Sequence, residues 1–589
     1  KLNLGYSDFK GMMINNNYFV DKSLLIEDVI KVQKAVLLFP RPRRFGKTLN
    51  LSMLKYFFDK NESENEKLFA NLKIWKTGND IIKHCGKYPV IFLTFKDAKA
   101  NTWNDTLKFI KIEIAKAYDE HYYLFESDIL RKHEKDAFTE IVTGKGDDVD
   151  FAVSLKRLSK YLHKYHNKKV VILIDEYDSP IQAGYKKFYD DIIPFMQNLL
   201  SGAFKDNSNI YKGVITGILR VSKENIFSGL NNVSVYTILD NRFSDKFGFT
   251  EPETKQVIND FKIKTEYSQI KKWYDGYQFG KTKNIYNPWS ILNYVSESEG
   301  GFKAFWTHSS SNSLIKERIF ERDYDYIKNN FEKLLQGKYI IKNIEEEIIF
   351  PDLEKKTKEL LWSLLLFTGY LTAEPVPEQA KTHVKLNHYN LSIPNFEVKK
   401  LFREIITEWL TENLQISSTL LFNAANNLVN NNLKEFEKEL QSIMGDTFSY
   451  FDTAKTKGQP DQNEITKSVQ LPENVFHSYM LGLLAILGEN YIIRSNRESG
   501  EGRYDILVRP FDITKNGIII EIKSIEKRQK NEEAQDFHMR INNAITEAEN
   551  QIETNDYDKE LIDNRITNII KLPIVFAGKV PFIFLLNTK

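Results

Sequence analysis

Residues 41–48 read Arg-Pro-Arg-Arg-Phe-Gly-Lys-Thr and are separated by Pro40 alone from the apolar run Ala35–Phe39. A buried strand that ends in such a loop and continues as an amphipathic helix, here Leu49–Phe58, is typical of a phosphate cradle. In that arrangement the backbone N–H groups of the loop face the anion, Lys47 reaches the β- and γ-phosphates, and the Thr48 hydroxyl is offered to Mg²⁺. The stretch therefore predicts a site for the phosphates of a nucleotide at the end of the first strand.

The first glycine that such loops usually carry is replaced by Arg41. The loop can keep its shape if the turn at this position needs no positive φ, because glycine has an advantage only in that region of backbone space. Arg41, Arg43 and Arg44 then add positive charge beside the phosphates, and Gly46 closes the loop. A basic strand-to-helix turn on a surface is the alternative that this motif alone leaves open.

A second apolar run, Val170–Ile174, ends in an acidic stretch that begins with Asp175 and Glu176. A continuous apolar run is typical of a strand buried on both faces of a parallel sheet. We expect Asp175 to hold Mg²⁺ through water and Glu176 to orient or deprotonate the attacking water. Asp178 lies two residues before Pro180, and we interpret it as an N-cap or turn residue.

A third apolar run, Gly213–Gly217, predicts another core strand with a polar tip. Thr216 at this tip is a candidate to sense the γ-phosphate, and Arg220 just beyond it is a candidate to supply positive charge within the same chain. A structural interpretation, as a strand end and a surface arginine, is equally open for these two residues.

Strand and helix patterns alternate throughout residues 1–250. The strands are expected at 35–39, 90–95, 170–174 and 213–218, and the helices at 48–59, 104–118, 151–166 and 187–204. This alternation predicts βαβ units and a mostly parallel sheet covered by helices, which is an α/β fold. The strand ends at 39 and 174 should then lie on one edge of the sheet, where ligands of open α/β sheets bind.

The overall composition is that of a large soluble protein. A chain of 589 residues corresponds to roughly three domains at about 100–200 residues each. The net charge of only +2 neither favours nor excludes a nucleic-acid partner. Cys85 is the single cysteine, which excludes a disulfide framework and favours a reducing compartment. The most apolar stretch, Leu360–Thr372, is too interrupted to span a membrane, so we expect a cytoplasmic protein without a membrane partner.

Residues 251–460 are rich in helix patterns, aromatic residues and charge. The aromatic stretches Trp273–Gly280 and Tyr286–Ser290 are more typical of a core or an interface than of a surface that stacks bases. The polar stretch 454–467 predicts a linker. We therefore expect a helical lid or spacer between an N-terminal domain at 1–250 and a C-terminal domain at 468–589.

The C-terminal block carries a second set of candidate residues. Two strand patterns, Gly502–Val508 and Ile518–Lys523, place Asp505 on one strand and Glu521 and Lys523 on one face of its neighbour. Two carboxylates and a lysine at a strand pair can bind Mg²⁺ and activate a water for phosphodiester hydrolysis. Lys523 would stabilise the hydroxide and the developing charge. An ordinary amphipathic strand is the alternative, because an E-x-K pattern is common.

These stretches together resemble a bacterial AAA-ATPase-like family, which pairs an unusual P-loop domain with a C-terminal PD-(D/E)xK nuclease-like domain. The resemblance covers nearly the whole chain, and arginine in place of the first loop glycine is a feature of that family. It rests on YFVDKS at 18–23, RPRRFGKTL at 41–49, IDEYDSP at 174–180, WYDGYQFG at 273–280, YNPWSI at 286–291, GRYD at 502–505, EIK at 521–523, and residues 551–557.

The resemblance implies a P-loop NTPase sheet, a helical middle region and a C-terminal α/β domain like that of restriction endonucleases. It implies that ATP and Mg²⁺ (or Mn²⁺) are bound in the N-terminal domain, with the ligands and catalytic groups supplied by Lys47, Thr48, Asp175 and Glu176. The metal ligands would be Thr48 and Asp175.

For the C-terminal domain the resemblance implies a nuclease core of Asp505, Glu521 and Lys523, in which the two carboxylates bind the metal. Glu473 matches an acidic residue on the first helix of such folds, and Gln551 matches a glutamine on a later helix. Both are expected to support the site.

Two functions remain open at this point. The first is an ATP-regulated, metal-dependent nuclease that acts on nucleic acid, with DNA favoured. The second is a nucleotide-dependent switch or scaffold whose C-terminal domain binds nucleic acid or protein without cutting it. A homo-oligomer is compatible with either function, since ATPases of this broad class often complete their sites across subunits.

Overall fold

The computed structural model describes residues 2–585, except 62–63, 221–231, 307–329, 332, 336, 348–356, 377–386, 415–416, 455–475, 477–479, 481–482, 500–501, 530 and 555–556. The chain forms two compact units, Lys1–Val398 and Lys399–Lys589. Glu473 and nearly all of the predicted linker at 454–467 lie outside the described residues. The three-domain division at about 250 and 460 stays a prediction.

A parallel sheet forms the centre of the first unit, with its described strands in the order β2-β3-β4-β1-β5. The strands are β1 Val36–Pro40, β2 Val90–Thr94, β3 Val170–Asp175, β4 Ile210–Gly217 and β5 Val233–Val235. Strands β1 to β4 confirm the predicted strands and their parallel arrangement. β5 was not predicted, because three residues are too few to show a period.

The helices that precede and connect these strands pack against the sheet and against each other. They are α1 Phe9–Ile14, α2 Leu24–Lys31, α3 Lys47–Phe58, α4 Asn65–Phe69, α5 Asn79–Ile82, α6 Trp103–Asp119, α7 Tyr123–Glu126, α8 Lys132–Val142, α9 Asp148–His166, α10 Ser179–Gly184 and α11 Tyr189–Phe204. α3, α6, α9 and α11 confirm the predicted helices. The apolar runs of β1 and β3 are fully buried, as expected for central strands.

The rest of the first unit combines helices with two small sheets. Its elements are α12 Glu251–Asp260, α13 Tyr267–Tyr274, β6 Tyr277–Phe279, β7 Thr282–Ile285, α14 Pro288–Ser296, β8 Ile340–Asn343, α15 Thr357–Thr368, β9 Thr372–Pro375 and β10 His388–Ser392, and α16 Phe396–Leu414 begins here. The middle region is therefore not purely helical. Tyr274 and Tyr286, from the two aromatic stretches, lie in one hydrophobic cluster, which confirms the core interpretation.

Two further sequence features lie outside the site. Cys85 is a buried free thiol, and burial raises its pKa to about 12, so it stays protonated. Leu360 to Phe367, in the apolar stretch, are core residues of α15. Within the described part of the chain, no helix is both long and apolar enough to cross a membrane.

The second unit is a mixed sheet with helices on both faces. After α16, its elements are α17 Ser418–Val429, α18 Leu433–Ala454, β11 Tyr491–Ser499, β12 Gly502–Pro510, β13 Gly517–Ile525, α19 Ala534–Thr554, α20 Lys559–Asp563, β14 Ile569–Ala577 and β15 Val580–Ile583. The described strands lie in chain order, and only β13 and β14 pair in parallel. The predicted hairpin is confirmed as β12 and β13. Its Ile518 and Ile520 pack with α17 and α18, while α19 packs on β14 through Ile541 and Ile545.

Candidate functional site

The phosphate loop joins β1 to α3 and takes positive φ at two positions, Arg44 (67°) and Gly46 (82°). Arg41 is not one of them, so the position where glycine is usual accepts a side chain without strain. Gly46 is the N-cap of α3, and a Cβ placed on it would meet no heavy atom within 4 Å. The glycine is required by its backbone conformation, and the space above it is open on the side where a ligand would approach.

Arg41 anchors the loop, whereas we expected it beside the phosphates. Its guanidinium is fully buried and donates through Nη1 to the carbonyl oxygens of Pro40, at 2.8 Å, and Tyr236, at 2.6 Å. The guanidinium carbon lies 4.8 Å from the ring centroid of Phe247. Burial lowers the pKa of Arg41 to about 9. This geometry assigns Arg41 to holding the loop against the segment that follows β5.

Lys47 points back over the loop. Its Nζ donates to the carbonyl oxygens of Arg41, at 3.1 Å, and Pro42, at 3.0 Å, and the residue is only 6% exposed. Burial lowers the pKa of Lys47, and the nearby carboxylates of Glu176 and Asp175 oppose that shift. The Lys47 ammonium thus donates to two carbonyl oxygens. In a nucleotide complex, phosphate oxygens would accept these hydrogen bonds instead.

Asp175 brings together the ends of three elements. Thr48 Oγ1, on α3, donates to Asp175 Oδ2 at 2.6 Å, and Thr216 Oγ1, on β4, donates to Oδ1. Asp175 is fully buried, and burial raises its pKa while the two hydroxyl donors oppose the rise. The expected convergence at one sheet edge is confirmed. A hydroxyl and a carboxylate are the oxygen ligands that Mg²⁺ prefers, so the donor set fits this ion.

Glu176 directly follows the end of β3 with a strained backbone. Its φ is 52°, and positive φ in a residue other than glycine is enriched at functional sites. Glu176 Oε2 accepts a hydrogen bond from Ser179 Oγ at 2.9 Å and lies 3.9 Å from Lys99 Nζ. These contacts aim the carboxylate, and neither Ser179 nor Lys99 was singled out from the sequence, where both are ordinary polar loop or cap residues.

Asp178 has the structural role that the sequence favoured. It precedes α10 as its N-cap, and its Oδ2 accepts the backbone N–H groups of Ile218 and Leu219, each at 2.9 Å. Gln182 Nε2 donates to the same oxygen at 2.8 Å. Burial raises the pKa of Asp178. The residue therefore ties the chain beyond β4 to the turn after β3.

The remaining arginine candidates differ in their surroundings. Arg43 is half-buried in the loop, and Arg44 is exposed with its guanidinium carbon 4.2 Å from the ring centroid of Trp289. Arg220 Nη2 pairs with Glu347 Oε1 at 2.7 Å. Their contacts with a nucleotide stay predictions.

The candidate nuclease residues lie on β12 and β13. Asp505 Oδ2 accepts the backbone N–H of Ile522 at 2.8 Å, which fixes its carboxylate against the neighbouring strand. Glu521 is 5% exposed, and Lys523 Nζ lies 3.9 Å from Glu521 Oε1. Glu521 and Lys523 are two positions apart on one strand and so share a face, as the period of two requires.

Helix α19 adds a residue to this face that the sequence did not reveal. Glu547 Oε1 lies 3.4 Å from Lys523 Nζ. Gln551 follows one helical turn later, and its side-chain oxygen is buried without a hydrogen-bond partner among the described residues. The spacing of Glu547 and Gln551, four positions apart on a helix, was the available signal, but it required knowing which face of α19 meets the sheet.

The donor chemistry of this second site fits a divalent cation, although no full ligand cluster is assembled. In the part of the chain that is described, no group of three or more His, Cys, Asp or Glu residues is arranged to hold a metal ion. Asp505 and Glu521 offer carboxylate oxygens, and the buried side-chain oxygen of Gln551 on α19 has no hydrogen-bond partner among the described residues. Oxygen ligands of this kind suit Mg²⁺ and Mn²⁺.

A buried carboxylate lies behind the phosphate loop in the first unit. Glu397, on α16, is 2% exposed, its Oε1 accepts the backbone N–H of Trp306 at 2.6 Å, and its Oε2 accepts Ser290 Oγ at 2.7 Å. Burial raises the pKa of Glu397 from 4.5 to about 7. Since two chain segments depend on this carboxylate, its charge state should affect the first unit.

We expect Glu397 to make the stability of the first unit depend on pH. Because its pKa is higher in the folded state, the stability that it contributes is complete below the unfolded pKa of 4.5 and is lost as the pH rises through about 7. The difference corresponds to about 3 kcal/mol. Glu397→Gln cannot titrate, so urea unfolding at about pH 5 and pH 8 should show a weaker pH dependence than in wild type.

Glu374→Gln is the matched control for that measurement, because Glu374 is an exposed carboxylate of the same unit. It should keep the pH dependence of wild type. An equal pH dependence in wild type and Glu397→Gln would show that Glu397 titrates as an ordinary carboxyl group.

Comparisons with known proteins assign both sites to recognisable domains. One family model, described as "Predicted AAA-ATPase", matches residues 3–227, and another, of the PD-(D/E)XK nuclease superfamily, matches residues 471–583. The first range contains the phosphate loop, Asp175, Glu176 and Thr216. The second contains Asp505, Glu521, Lys523 and Gln551.

A curated relative and two solved structures are also similar to parts of the chain. An "uncharacterized protein in vnfD 5'region" of Azotobacter chroococcum mcd 1 is 24% identical over 409 residues, which are 69% of this chain and 70% of the relative. The Aeropyrum pernix ORC2 protein in ADPNP-ADP complexes is 11% identical, with a TM-score of 0.21, over 67% of this chain and 91% of its own. Drosophila ORC bound to AT-rich DNA and Cdc6 is 9% identical, with the same coverage and a TM-score of 0.17. Such TM-scores do not establish a common fold.

Proposed function

Because the chain joins an AAA-ATPase-like domain at residues 3–227 to a PD-(D/E)XK nuclease superfamily domain at residues 471–583, we propose that it is an ATPase that controls a metal-dependent nuclease, with DNA as the substrate. The observation that carries the proposal is the convergence of Thr48, Asp175 and Thr216 beside the phosphate loop. Side chains from three chain segments that are distant in sequence thereby form one hydrogen-bonded cluster at the sheet edge where a nucleotide would bind.

In the ATPase half, one set of residues would bind the nucleotide and Mg²⁺, and another residue would accept a proton from the attacking water. The loop amides and the Lys47 ammonium bind the phosphates, and Thr48 and Asp175 would hold Mg²⁺, which neutralises the charge of the phosphate oxygens. Glu176 orients the attacking water and accepts its proton at the carboxylate that Ser179 aims. Thr216, near the end of β4, would sense the γ-phosphate.

In the nuclease half, Asp505 and Glu521 would hold Mg²⁺ or Mn²⁺. The metal ion would lower the pKa of a water molecule, so that hydroxide is available to attack a phosphodiester. The Lys523 ammonium stabilises the attacking hydroxide and the charge that develops on the phosphate oxygens. Its contact with Glu547, at 3.4 Å, holds the ammonium group on the α19 side of the sheet.

We expect Glu176→Gln to bind ATP with the affinity of wild type but to hydrolyse it about 100-fold more slowly. The amide keeps the shape of the carboxylate and loses its basicity. Equilibrium binding and steady-state turnover, measured on the same preparation, separate the two effects. Glu126→Gln, an exposed change in the same unit, is the control. Turnover at the wild-type rate in Glu176→Gln would show that another group orients the water.

The proposed function is tested by cleavage of labelled single- and double-stranded DNA in Mg²⁺ or Mn²⁺, with and without ATP, for wild type and Lys523→Ala. Cleavage by wild type that the variant lacks supports the nuclease, and its dependence on ATP reports the coupling. No cleavage under any of these conditions, with ATP hydrolysis intact, would instead favour the nucleotide-dependent switch or scaffold.

A further inference from the structure

Two side-chain donors from outside the matched AAA-ATPase-like segment converge on one carbonyl of the phosphate loop. Asn287 Nδ2 donates to the Arg43 oxygen at 3.3 Å, and Trp306 Nε1 donates to the same oxygen at 3.2 Å. Asn287 and Trp306 are 1% and 2% exposed. A carbonyl oxygen has two lone pairs, so these two donors match its full capacity.

The donors are themselves held in place. Asn287 Oδ1 caps α14 by accepting the backbone N–H groups of Trp289, at 2.9 Å, and Ser290, at 3.3 Å. The Glu397 carboxylate binds both the Ser290 hydroxyl and the Trp306 backbone N–H. One buried group therefore connects the two segments that carry the donors. We call Asn287, Ser290, Trp306 and Glu397 the loop brace.

Residues beyond the matched AAA-ATPase-like segment pack closely against the phosphate loop. Gly369 has φ +94°, and a Cβ placed on it would lie 2.9 Å from Pro42 Cβ and 3.4 Å from Trp306 Cζ2. The Phe45 ring meets the Tyr277 ring edge-on at 5.1 Å between centroids. The loop is thus in contact with residues far beyond the first 227.

The Arg43 carbonyl, which the loop brace holds, determines the direction in which the Arg44 N–H points. Arg43 C=O and Arg44 N–H belong to one planar peptide unit and point in opposite directions. Arg44 has positive φ, which a residue with a side chain adopts at a cost, so the loop needs external contacts to keep this conformation. Fixing the oxygen towards Asn287 and Trp306 fixes the Arg44 N–H on the opposite side of the peptide plane.

We propose that Asn287 and Trp306 are positioning residues for nucleotide binding, which act by holding the Arg43–Arg44 peptide so that the amides of the phosphate loop can bind the phosphates. The inference rests on the proposed ATPase function. It extends the functional nucleotide site to residues beyond 227 and gives a role to the Tyr286–Ile291 motif that its sequence did not suggest.

Trp306→Phe tests the inference because it removes the indole N–H and keeps an aromatic ring. We expect it to raise the Kd for the non-hydrolysable analogue ADPNP with Mg²⁺ by about 3- to 10-fold. The KM for ATP should rise similarly, while kcat changes by less than about 2-fold. Trp362→Phe is the matched control: Trp362 is fully buried in the same unit, and among the described residues its Nε1 has no hydrogen-bond partner.

Asn287→Asp is the second variant, and it removes the donor to the Arg43 carbonyl while it keeps the N-cap of α14. A carboxylate still caps α14, because Asp is as good an N-cap as Asn, but it presents an oxygen to the Arg43 carbonyl instead of a donor. We expect a rise in Kd of about 10-fold or more, measured well below the melting temperature, which should also fall because a buried carboxylate then faces a carbonyl oxygen. In the double variant the effects should be less than multiplicative, since both donors act on one oxygen.

The outcomes distinguish the inference from the function on which it rests. If wild type binds no nucleotide, the proposed function fails and the inference fails with it. If wild type binds ADPNP and both brace variants bind it equally well, the inference is overturned and ATP binding stands. If Trp362→Phe raises the Kd as much as Trp306→Phe, the effect is general destabilisation, and the inference is again overturned.

Discussion

Lys47→Ala is expected to abolish measurable ATP turnover and to weaken ATP binding about 100-fold. The Lys47 ammonium lies over the loop with two carbonyl oxygens as its partners, and a methyl group cannot replace its charge beside the β- and γ-phosphates. Binding of ADPNP and steady-state release of phosphate measure the two effects separately.

The folded state of this variant can be checked by its melting temperature, because the loop retains the contacts of Arg41, Asn287 and Trp306. Lys76→Ala, an exposed change in the same unit, is the control for loss of one positive charge. Unchanged ATP turnover in Lys47→Ala would remove the phosphate-loop assignment altogether.

Lys523→Ala should reduce the DNA cleavage rate by about 100- to 1,000-fold. Its ammonium group lies 3.9 Å from the Glu521 carboxylate and 3.4 Å from the Glu547 carboxylate. Alanine removes the positive charge that would stabilise the phosphate in the transition state. Single-turnover cleavage at saturating enzyme measures the chemical step without product release.

Lys527→Ala is the matched control, since Lys527 is exposed just beyond β13. Asp505→Asn provides an independent variant: it keeps an acceptor for the Ile522 N–H and removes the charge that would bind the metal. If Lys523→Ala and Asp505→Asn both cut DNA as fast as wild type, the site is misplaced or the activity comes from a contaminant.

Strands β1 to β4 of the first unit were predictable because each contains a continuous apolar run. The run at 170–174 is typical of a strand buried on both faces, and β3 has this burial throughout. The placement of Asp175 beside the phosphate loop followed from the same argument, since parallel strands present their carboxyl ends at one edge. In the second unit, the period of two placed Glu521 and Lys523 together without further information.

The role of Arg41 was not predictable in the same way. Its charge and its position in the loop suggested a phosphate contact, and nothing local indicates that Tyr236 and Phe247 enclose it. The structural neighbours of a side chain depend on how distant segments fold back. The same reason hid Glu547, which meets Lys523 only because α19 packs on β13 and β14.

The amino-acid sequence alone thus determined local features: where strands end, which loop can bind phosphates, and which side chains of a strand share one face. These properties follow from backbone geometry and short-range periodicity, so they can be read without knowing the fold. The loop brace is of another kind, because Asn287 and Trp306 reach Arg43 from 244 and 263 positions away. Contacts of that range exist only once the whole unit has packed, and it is packing that turned a cluster of aromatic and polar residues into a support for the phosphate loop.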